Sequence, residues 1–111
     1  MIDDAALFRA LEWLKDNAKP AAEARAERLF IEEQLPHLRA RIAVECMAAG
    51  DSAAAADMKA KASDAYKIAL DGLRAAVEKD EYMRFQRTRA DAIIEIWRSL
   101  SANQRSIAKA V

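Results

Sequence analysis

This chain of 111 residues has one cysteine, one histidine, two glycines and two prolines. Each scarcity removes a class of protein. A lone Cys46 forms no intramolecular disulfide and supplies no structural zinc site from one chain. Few Gly and Pro residues argue against collagen, a loop-rich disulfide scaffold or a sandwich with many tight turns. Gly50 and Gly72 lie too far apart to form a phosphate-binding loop, which excludes the usual nucleotide sites. No run approaches the roughly 20 apolar residues that span a bilayer, and Met1-Ile2-Asp3-Asp4 is not the basic start of a secretory signal. The expectation is a soluble, cytoplasmic single domain with no membrane partner.

What is present is alanine. There are 27 alanines, against 23 for Leu, Ile, Val and Phe together, so the 53% apolar fraction gives only a thin core. Ala, Glu, Lys, Leu and Arg make up 63 of the 111 residues. These side chains lose little rotamer freedom in a helix, and the expected fold class is all-α.

Punctuation divides the pattern. Asp3 is a candidate N-cap for a short N-terminal helix over 3–18, carrying Leu7, Leu11 and Leu14. Asn17-Ala18-Lys19-Pro20 reads as its stop, with Pro20 opening a second helix over 20–49. Ile31, Leu35, Leu38 and Ile42 share one face of that helix, and Pro36 predicts a kink or short break. Gly50-Asp51-Ser52 is the clearest turn. A short, poorly anchored helix over 53–62 has Met58 as its one large apolar residue, and Ser63 offers the next cap. A long helix over 64–103 carries Leu73 and Val77 early, then Ile93, Ile96, Trp97 and Leu100. Such a helix, about 60 Å at 1.5 Å per residue, exceeds the width of a compact domain of this size. Its periodicity weakens between Asp80 and Asp91, where it is expected to bend or leave the core. Gly72 inside it costs about 1 kcal/mol relative to Ala, which predicts close approach of another helix. The expected architecture is a long helical hairpin or bundle completed by self-association, because thin stripes do not stabilise long helices alone.

Candidate chemistry is sparse. Glu33 and His37 are spaced unlike the Glu-x-x-His pairs of carboxylate metal sites, and there is no second His. Cys46 sits on the apolar stripe with Ile42, as a small hydrophobe does. No serine has a glycine-flanked elbow or acid and histidine partners. A helix-turn-helix outline over 43–62 has Asp51 where an apolar residue is normal. The reading is a non-enzyme with no catalytic residues, cofactor or metal.

Charge is more informative. Residues 1–35 carry a net −3 and residues 84–111 a net +4, so the overall zero is a cancellation. In the basic segment, Arg87-Asp91, Asp91-Arg98 and Glu95-Arg98 are spaced for same-face pairing, the reading of a solvated, self-paired helix face. Two sharper expectations stand beside it. One is a homo-oligomer, packed through Ile31, Leu35, Leu38 and Ile42 opposite Leu73, Val77, Ile93, Ile96, Trp97 and Leu100, in which basic and acidic ends meet. The other is nucleic-acid contact by Arg84, Arg87, Arg89, Arg98 and Arg105 with Tyr82, Phe85 and Trp97 interleaved, disfavoured by the zero net charge. A host or phage protein as partner is a further alternative.

The run Ile94-Glu95-Ile96-Trp97-Arg98-Ser99-Leu100-Ser101-Ala102-Asn103-Gln104-Arg105, with Leu73-Arg74-Ala75-Ala76-Val77 and Ala22-Glu23-Ala24-Arg25-Ala26-Glu27-Arg28 upstream, resembles small uncharacterised helical proteins of bacteriophages and prophages. The resemblance covers about two thirds of the chain. It implies an all-helical accessory factor associated with replication or recombination genes, and no particular chemistry.

Overall fold

The structure is a computed structural model that describes residues 3–110. The chain is all-α, with helices α1 (Asp4–Ala48), α2 (Ala53–Ala62) and α3 (Asp64–Ala110).

The predicted caps form. The Asp3 carboxylate accepts from the Ala6 backbone N–H at 2.8 Å, satisfying a donor that the first turn leaves without an intrahelical partner. Gly50 ends α1 with φ 108°. Its N–H donates to the Met47 carbonyl at 3.0 Å and the Asp51 N–H to the Cys46 carbonyl at 3.1 Å, the two bonds of a Schellman turn. Ser52 caps α2 by accepting from the Ala55 N–H at 3.2 Å. The Ser63 hydroxyl donates to the Ala60 carbonyl at 2.7 Å and accepts from the Tyr66 N–H at 3.2 Å, closing α2 and opening α3 with one side chain.

The expected short N-terminal helix over 3–18 and the restart at Pro20 do not occur, and no break interrupts Pro36. One helix runs through both prolines. The reason lies in the phase of its covered face: Leu7, Ala10, Leu14, Asn17, Ala21, Ala24, Arg28, Ile31, Leu35, Leu38 and Ile42 are all buried or half-buried. They alternate steps of three and four residues, the mean 3.5-residue period of a coiled-coil seam. A stop at Pro20 would lose this phase, whereas a continuous helix forgoes one hydrogen bond and accommodates the ring against the Asp16 carbonyl. Both prolines are exposed, so their rings keep clear of the seam. The last helix also runs beyond its expected end, and it does not leave the core at Asp80–Asp91: Asp80, Met83 and Ala90 are all buried. Its periodicity looked weak there because the seam is occupied by a carboxylate, a thioether and a methyl.

The chain divides into two compact units. The first joins the chain up to Ala22 with the chain from Glu81 onward; the second is Glu23–Asp80. In the first unit α1 and α3 pair antiparallel: Ala6, Ala10 and Trp13 ascend along a groove whose other wall descends through Ile93, Ala90 and Gln86. The Trp97 indole N–H donates to the Asp4 carboxylate at 2.9 Å.

The second unit adds α2 to the pair. Ala56 and Ala60 anchor it at 0% exposure, while Met58, its one large apolar side chain, is 72% exposed. The helix is therefore seated by methyl groups and not by Met58. Polar contacts supplement them: Arg39 to Asp57 at 3.1 Å, Lys61 to Asp57 at 3.1 Å and Lys59 to Asp51 at 2.8 Å. The Lys61 hydrogen bond lowers the Asp57 pKa below 3.8, and the Asp51 hydrogen bond raises that of Lys59 above 10.5. The Asp57 contribution is lost only as pH falls through its depressed value, and the Lys59 contribution only as pH rises through its raised one. These contacts persist across the whole neutral range.

Pro20→Ala restores an N–H donor to the Asp16 carbonyl and removes the ring clash. It is expected to stabilise the fold by up to about 3 kcal/mol in urea denaturation followed by circular dichroism.

Candidate interaction surfaces

Among the described residues no group of three or more His, Cys, Asp or Glu side chains is placed to hold a metal ion, and no helix is long and apolar enough to cross a membrane. The surface chemistry consists of helix faces beside the seam.

Within the second unit, Ile31, Leu35, Leu38, Ile42, Leu73 and Val77 are buried or half-buried. Ile31, Leu35 and Leu38 also floor a groove of about 410 Å³ edged by Gln34, His37, Arg41 and Ala69. In the first unit Ile93 and Trp97 are half-buried, whereas Ile96 and Leu100 are exposed. Trp97 and Leu100 line a groove of about 650 Å³ with Asp3, Asp4 and Ile107. Ile31, Leu35, Leu38 and Ile42 thus share a unit with Leu73 and Val77, while Ile93, Ile96, Trp97 and Leu100 share the other with the start of α1.

The arginines do not form one strip. Arg84, Arg98 and Arg105 recur at multiples of seven and lie on one line of α3. Arg84 pairs with Glu81 at 2.9 Å and Arg98 with Glu95 at 3.4 Å. The latter is one of the three expected pairings. Arg89 lies round the helix from that line, sharing a groove of about 310 Å³ with Arg9 and Trp13. Arg87 and Arg105 are exposed.

Sequence reasoning missed the polar centre of the seam. Asp80 is 2% exposed, and the Arg28 guanidinium donates to its carboxylate at 3.2 Å from across the second unit. Arg28 also holds Glu32 at 3.0 Å. The signal was present, since Arg28 falls between Ala24 and Ile31, and Asp80 between Ala76 and Met83, at seam spacing. Phe30, Val44 and Ile68 are further large apolar side chains of this unit left exposed.

The helix approach expected at Gly72 is not found: among the described residues, nothing beyond the adjoining turns of its own helix lies within 4 Å of where a Cβ would stand.

Comparison with protein-family models, curated proteins and solved structures finds no match.

Replacing Arg28 by Leu strands a buried carboxylate and is expected to destabilise the fold by about 3 kcal/mol or more. Replacing both Arg28 and Asp80 by Leu is expected to recover most of that loss, and a double-mutant cycle in urea measures the difference.

Proposed function

We propose that this is a non-enzymatic helical interaction protein that works by self-association and protein–protein contact. The carrying observation is that each unit leaves large apolar side chains exposed at helical spacing: Phe30, Val44 and Ile68 in one, Phe8, Ile96, Leu100 and Ile107 in the other. Leu100 and Ile107 also line one groove of the first unit, so the exposure there is not confined to single scattered side chains. The core supports the same reading, since alanine methyls supply much of its burial and each contributes less than a leucine side chain. The resemblance of the segment over 94–105 to small phage proteins supports an accessory role, acting on its own copies or on a host or phage protein. Light scattering coupled to size-exclusion chromatography at tens of micromolar is expected to give a mass above the 12.3 kDa of one chain. A compact monomer throughout would sink the self-association reading.

A second reading, nucleic-acid association by the basic part of α3, is supported by one arrangement. Tyr82, Phe85 and Arg89 are all exposed, at steps of three and four on one face, as a base-stacking platform with a phosphate contact requires. It predicts single-strand binding that weakens steeply with salt and is lost when Arg84, Arg87 and Arg89 are changed together to Gln. Fluorescence anisotropy with a labelled oligonucleotide checks this, and absence of binding at low salt rejects it.

A further inference from the structure

The second unit has two covered flanks and one open one. The seam joins α1 to α3, and α2 covers the side of α1 that carries Arg39. On the other side α1 presents Phe30, Gln34, His37, Arg41 and Val44, all exposed at alternating steps of four and three. Beside them α3 presents Ala65, Ile68, Gly72 and Ala75, also exposed and at steps of three and four. Both stripes have the 3.5-residue period that packs helices along their length.

The two stripes differ in size. That of α1 is bulky and that of α3 is small apart from Ile68, so the face complements itself: the bulky half of one molecule fits the small half of another. A glycine within a helix weakens it relative to alanine, and none of the described residues comes close enough to Gly72 to require the missing Cβ. A backbone approaching from a second molecule does require it.

Building on the self-association just proposed, we propose that two copies of this chain join through this open flank of the second unit into a four-helix bundle, α1 of each lying over α3 of the other. A twofold axis parallel to the helices makes every neighbouring pair antiparallel and the interface isologous. It also preserves the levels at which α1 and α3 residues lie. Arg28 reaches Asp80, and Ala69 borders the same groove as Leu35, which sets the levels of α1 and α3 to within about one turn. Across the axis Glu27 therefore comes within a turn of Lys79 of the other copy, and Arg41 within a turn of Asp64, distances that these long side chains span. Both pairs are of opposite charge. Gln34 comes within the same distance of Gly72, where the absent side chain leaves room for the neighbouring helix. A partner of unrelated chemistry has no reason to match both charges and the glycine.

Sedimentation velocity on Glu27→Lys, Lys79→Glu and their equimolar mixture tests the arrangement. Each single variant sets like charges together twice in its own dimer and is expected to dissociate at about tenfold lower stability than wild type. The mixture is expected to recover wild-type association, since the heterodimer contains only opposite-charge pairs; pairing within one chain gives no such recovery. Gly72→Leu is expected to abolish the dimer while leaving the helical circular dichroism of the monomer intact. Association that withstands these variants but dissolves on Ile96→Asp or Leu100→Asp in the first unit overturns this interface and leaves self-association standing. A wild-type chain that stays monomeric overturns both.

Discussion

The constraint that shapes this protein is the thinness of its seam. Among the described residues of the seam, those covered most completely are Asp80, Ala24, Ala10 and Ala90, at 2–4% exposure. Leu7, Leu35 and Met83 add larger groups at 8–9% exposure, and most other apolar side chains remain half in water. Each turn of such a seam contributes little, so within each unit α1 and α3 must meet over several turns. The same thinness leaves the flanks apolar, since residues that would line a thicker core are exposed on either side of a narrow one.

Set into that narrow seam, Arg28 and Asp80 act through geometry more than through energy. A partly buried ion pair returns little net stability once desolvation is counted. It does discriminate among alignments. Sliding α3 by one heptad would place the Asp80 carboxylate beside Leu35 or Ala21 and leave it without its cation. At Ala24 and Ala76 the seam offers only small side chains, and there the ion pair separates alignments that packing alone would leave nearly equal. The glycine and serine caps fix the chain ends of α2 in the same spirit, by directed hydrogen bonds where apolar contact is scarce.

The parts of this architecture legible in the sequence were those set by local chemistry. Asp3, Gly50, Ser52 and Ser63 do what their side chains or backbone freedom suggest, because a cap acts within one turn of itself. Helix content likewise followed from composition. Pro20 misled because its local penalty of about 3 kcal/mol is outweighed by a covered face running to both sides of it, and such a sum is invisible in a window of a few residues. Counting large apolar side chains said little about α2, where Met58 is exposed and the covered residues are Ala56 and Ala60. Arg28 and Asp80 were hidden by the habit of reading charge as surface. The flank beside Phe30, Val44 and Ile68 became visible only once the seam was placed, since a second stripe has meaning only relative to the first.

The two joints of the chain differ in what they tolerate. Between α1 and α2 the path turns through Ala49, Gly50 and Asp51, where two backbone bonds close the turn and added residues would simply lengthen a loop. Between α2 and α3 there is only Ser63, whose hydroxyl serves both helices at once. One extra residue at that point would rotate α2 by about 100° about its axis and carry Ala56 and Ala60 away from the surface they rest on. Variation in the length of this protein therefore belongs at the first joint, and the second behaves as a weld.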